Sequence, residues 1–481
     1  MTEVSGKQSF GESEHGALGI VDGRDARLVD DLRPHVSEFG LMKNRSRVEA
    51  AWMLALEGVV PGIAPLPDQA RTYLEELKSG EAFTREEMDL AKAFETKGVG
   101  DVKATRHDVK AVELMLRSRF SDVADGEAFA DHLEFTHFGL TSEDVNNLAE
   151  GIGLRDARDE VLLPVIDAIH EDLDAKAKLW ANIPMLGRTH GQAATPTTLG
   201  KEFAVFVERI SRTSDYFANV AIYGKLNGAT GGYNALRVVY PEVSWPSVSE
   251  EFVTSLGLEF NRATTQVEPH DWMARYLHAL SELSNPMVDL AKDAWLYISQ
   301  DYLKQATVDG EVGSSTMPHK VNPIDFEKAE ANFDTYATLA DGLARKLTQS
   351  RLQRDLSDSS SKRVIGTALG HELIALKSLT RGLSKISPNE AEISRELDEH
   401  WEILTEPVQQ MLRRYNVKGG YDTTKGVSRG KAFTREGYAE LVDSISGVIP
   451  PEAVARLRAL TPATYIGYAP EIALGTDLAK S

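Results

Sequence analysis

A loop with chemically active side chains interrupts a sequence that otherwise reads as helix. Residues 310–323 read GEVGSSTMPHKVNP, and the glycines, serines and prolines in this segment would end any helix. The two prolines stiffen its second half, where Lys320 and Asn322 add a cation and an amide. The segment is either a flexible connector or a closing lid over a substrate, because connections between bundle helices are usually shorter.

A second loop carries a histidine. Residues 188–200 read RTHGQAATPTTLG, a loop that enters a helix with Thr197 or Thr198 as the N-cap. The polar and small neighbours of His190 predict that this side chain is exposed. Such a histidine is either simply solvated or catalytic.

A third segment combines hydroxyl and acidic groups at a predicted helix start. Residues 134–151 read EFTHFGLTSEDVNNLAEG, in which Thr141 and Ser142 precede two acids, Glu143 and Asp144. Acids in a first turn stabilise the helix dipole, and hydroxyls there cap the helix. The same groups could hold a carboxylate or phosphate at the helix N-terminus, so capping and ligand binding both stay open.

A fourth segment, TRHDVKAVELML at 105–116, places His107 and Lys110 three residues apart on one predicted helix face. This face is either an ordinary polar surface or part of a binding site.

The charge of the chain limits the kinds of ligand it can bind. Its formal net charge is −20, which argues against nonspecific nucleic-acid binding, since that depends on neutralising phosphates. A protein this acidic must gather cations locally to bind an anion. The densest group lies at 350–363, SRLQRDLSDSSSKR, with Arg351, Arg354, Lys362 and Arg363 among serines.

Several function classes are excluded or disfavoured. The chain has no cysteine, which excludes disulfides, thiolate metal sites and cysteine nucleophiles and is typical of a cytoplasmic protein. No apolar run approaches the ~18–20 residues of a membrane helix, and residues 1–20 read as a polar arm without signal-peptide character. Metal-binding H-E-x-x-H and nucleotide-binding glycine motifs are absent.

The elements that must position these residues are predicted to be helices. Few β-branched alternations occur, so strand content should be low. One apolar stripe recurs at helical spacing, and Pro164 within it predicts that a helix begins or kinks there. The stripe consists of Leu162, Ile166, Ile169, Leu173, Ala177 and Trp180. Long helices are also predicted over 197–222, 270–307 and 323–349.

The predicted fold class is all-α, with three helical domains and a central bundle of long helices. Helices of this length suggest a bundle shared between subunits, because one core of this size could scarcely cover them. The expected divisions are the arm at 1–20, an N-terminal domain at 21–115, the central bundle with the loop at 116–364, and a C-terminal domain at 365–481.

Taken together, the segments resemble the fumarase/aspartase superfamily of β-eliminating lyases. The superfamily's signature loop has the form G-S-S-x-M-P-x-K-x-N-P, and GSSTMPHKVNP at 313–323 fits it at every fixed position. Within the superfamily, TRHDVKAVE, THFGLTSEDVNN, RTHGQAATPTTLGKE, TTQVEPHD and SRLQRDLSDSSSKR look like the bacterial adenylosuccinate lyases. The resemblance runs from about Val21 to Thr464.

The resemblance implies a homotetramer with a long-helix core and active sites shared between subunits. It implies release of fumarate from adenylosuccinate, giving AMP, and from the succinyl-carboxamide ribonucleotide SAICAR, giving AICAR, without a metal or an organic cofactor. By the family pattern Ser314 is the general base and His190 is the general acid. Glu327 orients His190, and the ammonium of Lys320 stabilises the serine alkoxide.

The resemblance also implies a set of substrate-binding residues. These are Arg24, His107, Asp108, His137, Thr141, Ser142, Thr189, Gln266, Ser315, Asn322, Arg354, Ser359 and Arg363. The basic cluster at 350–363, found from charge alone, coincides with three of them.

Three positions depart from the family pattern. Asp25 stands where tyrosine is expected after DGR, Arg106 replaces an asparagine before HD, and Lys328 replaces an asparagine after Glu327. They either compensate one another or alter the nucleotide preference. Alternative readings are a sister lyase acting on argininosuccinate or a modified purine, and a structural relative without activity.

Overall fold

The computed structural model describes residues 17–123, 132–307, 317, 320–418 and 433–476. Ser314 and Ser315 lie outside the described residues. Helices dominate, and the fold is all-α and multi-domain, as predicted from the sequence. None of the helices in these ranges is long and apolar enough to cross a membrane.

The α-helices, α1 to α19 in chain order, are Arg33–Val36, Glu38–Val59, Asp68–Ser79, Arg85–Thr96, Asp108–Val123, Ser142–Ala157, Leu163–Leu179, Leu199–Ala218, Asn234–Val239, Trp245–Ser255, Asp271–Ser299, Ile324–Leu347, Ser357–Lys362, Ile365–Lys385, Glu390–Asp398, Thr405–Arg414, Arg435–Ser444, Pro451–Arg458 and Ala469–Ala473. The 3₁₀ turns are Ile20–Asp22, Ala26–Leu28, Asp30–Leu32, Leu133–Phe135, Trp401–Leu404 and Pro462–Thr464, and Arg158–Leu162 is a π-helical turn.

Short strands pair in twos. The strands β1 to β6 are Pro184–Thr189, Gln192–Thr198, Tyr223–Gly224, Glu259–Phe260, Leu303–Gln305 and Ile386–Pro388. β1 pairs with β2 and β5 with β6, both antiparallel, whereas β3 pairs with β4 in parallel.

The chain divides into two compact units, each built from three separate stretches. The first comprises Met1–Val165, Ser214–Ser284 and Ala331–Lys377, and the second Ile166–Thr213, Asn285–Glu330 and Ser378–Ser481. In the first, helices α2 to α5 enclose a core that includes Met53, Leu74 and Phe94. In the second, Trp401 and Tyr438 belong to a core of the C-terminal helices. The division into three domains stays a prediction.

The predicted apolar stripe is confirmed. All six of its side chains, from Leu162 to Trp180, are buried. The predicted break also lies where expected, because the π-helical turn Arg158–Leu162 separates α6 from α7 and Pro164 is the second residue of α7. Pro164 has no N–H to donate to the preceding turn, and the wider π-helical turn directly before it accommodates the missing hydrogen bond.

The helix predicted over 270–307 is too long. It ends at Ser299, and Asp301 adopts a left-handed conformation with a φ of 59°. The Tyr302 N–H then donates to the Tyr297 carbonyl (2.8 Å), which closes the helix end as in a Schellman motif. The chain continues as β5, so residues 303–305 are extended rather than helical.

The start of helix α6 is fixed by a carboxylate that its first turn buries. Asp144 accepts the Thr141 N–H (2.9 Å) in a capping box, which confirms the predicted helix start. Asp144 also accepts the Asn227 N–H (3.0 Å) and pairs with the Lys225 ammonium (2.8 Å). Neither side chain of this ion pair is exposed. The pair therefore ties the segment after β3 to the first turn of α6.

We predict that Lys225→Met destabilises the protein strongly, by about 3 kcal/mol, because it leaves the buried Asp144 carboxylate without its cation. The double variant Asp144→Asn, Lys225→Met should recover part of this loss, since it buries no unpaired charge. Thermal unfolding followed by circular dichroism compares the variants. Lys178→Met is the control, because its pair with Asp174 is exposed and contributes little. Equal midpoints for the single and double variants would contradict the prediction.

Candidate active site

The first unit contains a cavity of about 810 Å³, a volume typical of small-molecule sites. Eight of the predicted substrate-binding residues line it, although they come from four separate stretches of the chain. They are His107, Asp108, Thr141, Ser142, Gln266, Arg354, Ser359 and Arg363. The structure therefore brings most of the predicted binding residues of this unit to one place.

His107 lies at the N-cap of helix α5 rather than on a helix face. Helix α5 begins at Asp108, and the Lys110 N–H donates to His107 Nδ1 (3.3 Å). The spacing of three residues does bring His107 and Lys110 together, through a bond from the Lys110 backbone to the His107 ring at the start of the helix. With Nδ1 as acceptor, the neutral ring carries its proton on Nε2, which is then a donor for a ligand in the cavity.

Arg45 holds the cavity residue Asp108 in place. Its guanidinium pairs with Asp108 (2.9 Å) and its Nε donates to Asn146 Oδ1 (2.9 Å). Burial alone would raise the pKa of Asp108, but Arg45 outweighs it and the pKa is below its usual value. Asp108 is therefore an ionised acceptor. The sequence reading missed Arg45, which lies in the middle of a helical stretch without a motif.

Arg354 is held from two sides at the cavity wall. Its Nη2 lies 3.0 Å from Glu143 Oε1, and its Nη1 donates to Gln266 Oε1 (3.1 Å). Glu143 is fully buried. Burial would raise the pKa of Glu143, but Lys362 and then Asn146 and Arg354 lower it below its usual value. Glu143, read from the sequence as a helix-start acid, therefore acts as an ionised anchor for Arg354.

Lys362 is buried beside three carboxylates. Its ammonium lies 2.9 Å from Glu150, 3.4 Å from Asp358 and 3.9 Å from Glu143. Burial would lower the pKa of Lys362, but Glu150 and Glu143 raise it above its usual value, so the ammonium stays charged. The charge pattern identified Lys362 as one of a basic cluster but could not show that it is inside the protein.

The cavity wall is richer in cations than the chain as a whole. Five arginines and lysines line it against four aspartates and glutamates, in a chain with 53 basic and 73 acidic residues. Arg106 and Arg363 are exposed there, and within the described part of the chain neither makes an ion pair. These two guanidiniums are available to an anionic ligand. Of the three departures from the family pattern, Arg106 is the one that lines the cavity.

His190 lies at the tip of a tight hairpin in the second unit. Thr189 pairs with Gln192 across β1 and β2, so His190 and Gly191 form a two-residue turn. Both have positive φ, 54° and 73°, as a type I′ turn requires. His190 is exposed, as predicted, and Thr198 caps helix α8 by accepting the Lys201 N–H (3.2 Å). The hairpin was not predicted.

The remaining predicted residues of the second unit lie at the start of helix α12. Glu327 is in its first turn and accepts the Trp295 indole N–H (3.1 Å). Lys320 is exposed and Asn322 half-buried in the segment just before it. Among the described residues no hydrogen bond joins Glu327 to His190.

Two predicted residues of the first unit do not line the cavity. Arg24 is exposed in the N-terminal 3₁₀ region, next to the buried Asp25. His137 is held by Glu49, which accepts the His137 N–H (3.1 Å) and lies 2.6 Å from Nδ1. Burial would lower the pKa of His137, but Glu49 outweighs this effect and the pKa is raised.

Lys328, the third departure from the family pattern, is half-buried on α12 in the second unit.

No group of histidine, aspartate and glutamate side chains in the described ranges has an arrangement that could hold a metal ion. The expectation that the reaction needs no cofactor stays a prediction.

Comparison with known proteins identifies the family. A family model described as lyase matches residues 89–332, and one described as adenylosuccinate lyase C-terminal matches residues 350–466. The chain is 42% identical to the adenylosuccinate lyase of Escherichia coli strain K12 over 94% of this chain and 97% of that protein. It is 43% identical to the adenylosuccinate lyase of Legionella pneumophila strain Corby over 95% and 97%.

Solved structures share the fold at lower identity. A fumarate lyase from Mesorhizobium sp. BNC1 matches with a TM-score of 0.71 and 18% identity over 94% of this chain and 99% of that one. A 3-carboxy-cis,cis-muconate lactonizing enzyme from Pseudomonas putida matches with a TM-score of 0.70 and 19% identity over 93% and 96%. These likenesses show the fold, whereas the close relatives show that the chain is a lyase and belongs to the adenylosuccinate lyase family.

Proposed function

We propose that the protein releases fumarate from adenylosuccinate, giving AMP, and from SAICAR, giving AICAR. The observation that carries the proposal is the cavity of the first unit, where residues predicted to bind this nucleotide come together in a chain 42% identical to adenylosuccinate lyases. These substrates are nucleotide metabolites, for which we propose a cytoplasmic setting.

The reaction is a β-elimination that needs a base and an acid. The base removes a proton from the succinyl Cβ, the electron pair forms the C=C bond of fumarate, and the C–N bond breaks. The acid then gives a proton to the departing nitrogen. Negative charge builds on the adjacent carboxylate in the transition state, so cations and amides must surround it.

Family motifs suggest which residues fill these roles. We propose Ser314 as the base and His190 as the acid, with Lys320, Asn322 and Ser315 at the substrate's carboxylates. A serine hydroxyl is far too weakly acidic in water to be a base, so the loop at 310–323 must exclude water when it closes. The hairpin position of His190 supports its role as the acid. A tight turn between two paired strands holds the backbone of His190 rigidly while its ring is exposed.

The cavity of the first unit suits the nucleotide end of the substrate. We assign the anionic groups to Arg354, Ser359 and Arg363, and hydrogen bonds to the nucleotide to His107 and Asp108. Thr141, Ser142 and Gln266 line the same cavity. An N–H on Nε2 of His107 and an ionised Asp108 form one donor and one acceptor, the pair that polar base and ribose groups require.

We propose that the protein is a homotetramer whose active sites are shared between subunits, with Arg24, His137 and Thr189 completing them. We propose that the subunits meet at large apolar side chains exposed on the long helices α7, α8 and α11. They are Leu179, Val205, Tyr216, Trp295 and Leu296. A shared site also explains why His190 and Glu327 make no hydrogen bond to each other within one described chain.

We predict that purified protein converts adenylosuccinate to AMP, and that Ser314→Ala and His190→Ala each lower kcat by at least about 100-fold, because each loses one proton transfer. The absorbance change of adenylosuccinate measures turnover, and gel filtration shows whether the assembly persists. Wild-type protein that leaves adenylosuccinate intact but cleaves argininosuccinate would favour a sister lyase. Full activity of either variant would remove the role assigned to that residue.

We also predict that Arg363→Gln raises the KM for adenylosuccinate about 10- to 100-fold, since a charged hydrogen bond to an anion contributes ~1.5–3 kcal/mol. Raising the salt concentration should raise the wild-type KM and affect the variant less. Steady-state kinetics at two ionic strengths tests this. Arg85→Gln is the control, because Arg85 is exposed on α4 and does not line the cavity. An unchanged KM for Arg363→Gln would refute the assignment.

A further inference from the structure

Glu143 lies behind the cavity wall, where it contacts Arg354. Its side chain is fully buried, and the residue does not itself line the cavity. Oε1 lies 3.0 Å from Arg354 Nη2 and accepts a hydrogen bond from Asn146 Nδ2 (2.7 Å). The carboxylate is thus held by its own helix and points at the guanidinium.

The guanidinium of Arg354 is anchored on both of its terminal nitrogens. Nη1 donates to Gln266 Oε1 (3.1 Å), and Gln266 Nε2 in turn donates to the Ala229 carbonyl (2.9 Å). A guanidinium has five N–H donors, so two anchors leave three for a ligand. A free arginine would lose much rotamer freedom on binding a ligand, whereas an anchored one has already lost it on folding.

Lys362 lies on the other side of the Glu143 carboxylate from Arg354. Its ammonium lies 3.9 Å from Glu143 Oε2 and is also paired with Glu150 (2.9 Å) and Asp358 (3.4 Å). The Glu143 carboxylate therefore has one cation on each side, Arg354 at Oε1 and Lys362 at Oε2. Arg354 and Lys362 both line the cavity. The Lys362 ammonium is bound by three acids, so Arg354 is the cation that still has N–H donors for a ligand.

The same network reaches another residue of the cavity wall, Asp108. Asn146, which donates to Glu143, accepts from Arg45 Nε (2.9 Å), and Arg45 pairs with Asp108 (2.9 Å). A continuous series of hydrogen bonds and ion pairs thus joins Asp108 to Arg354. Glu143 is the member of this series that touches Arg354 directly.

We propose that Glu143 is a positioning residue that aims Arg354 at an anionic group of the substrate. The inference rests on the proposed function, because it takes adenylosuccinate as the anion that Arg354 binds. Glu143 acts on substrate binding through Arg354 and takes no part in the proton transfers. Its removal should therefore raise KM and leave kcat nearly unchanged.

A double-mutant cycle tests this with Glu143→Gln, Arg354→Gln and the two combined. Glu143→Gln should raise the KM for adenylosuccinate about tenfold and change kcat by less than about twofold, because a neutral amide anchors the guanidinium roughly half as strongly as a carboxylate. In the Arg354→Gln background the same change should alter KM by less than about twofold, because residues that act through one contact are not additive.

Two further variants keep the test decisive. Glu143→Asp retains the charge beside Lys362 but withdraws it from Arg354, so its KM should also rise while its thermal midpoint stays near the wild type. Glu372→Gln is the matched control, a fully buried glutamate in the same unit that does not line the cavity. Burial raises the pKa of Glu372 to about 8, so the amide replaces a largely neutral acid and KM should not change.

The outcomes separate the inference from the proposed function. Additive effects of Glu143→Gln and Arg354→Gln on KM would overturn the inference, as would a loss of kcat at unchanged KM. A wild-type protein that does not turn over adenylosuccinate would overturn the proposed function and remove the inference with it.

Discussion

The first turn of helix α6 buries two adjacent carboxylates, and the site depends on how they are neutralised. Glu143 and Asp144 are both fully buried, and a buried charge is costly unless it is paired and hydrogen-bonded. Successive helix residues point about 100° apart, so the two acids face different segments. Asp144 pairs with Lys225 and accepts hydrogen bonds from the backbone after β3, whereas Glu143 pairs with Arg354. One helix start thereby fixes both the segment after β3 and an arginine of the cavity wall.

Features that depend on neighbouring residues could be predicted from the sequence. The start of α6 follows from Thr141 and Asp144, which complete a capping box within four residues. The Thr198 cap of α8 and the buried stripe from Leu162 to Trp180 are equally local, since spacing alone decides which side chains share a helix face. The all-α class follows from the same periodicity.

Features that depend on partners far along the chain could not be predicted in this way. Glu143 and Arg354 are separated by more than 200 residues, and no local pattern distinguishes an acid that stabilises a helix dipole from one that anchors an arginine. Lys362 lies in a serine-rich basic stretch typical of a surface, yet the acids of α6 bury it.

The cations of the cavity divide into two groups with different effects on an anionic substrate. One group is paired with acids and consists of Arg45, Arg354 and Lys362. The acids cancel most of the electric field of these cations but hold their side chains in fixed positions. Arg106 and Arg363 are exposed and make no ion pair among the described residues, so they supply attraction without fixed geometry. An acidic protein needs both kinds, because unpaired cations attract a polyanion against the overall charge, and Arg354, fixed by its partners but with donors left for a ligand, orients it. Arg106, absent from the family pattern, adds to the attracting group and leaves the orienting network unchanged.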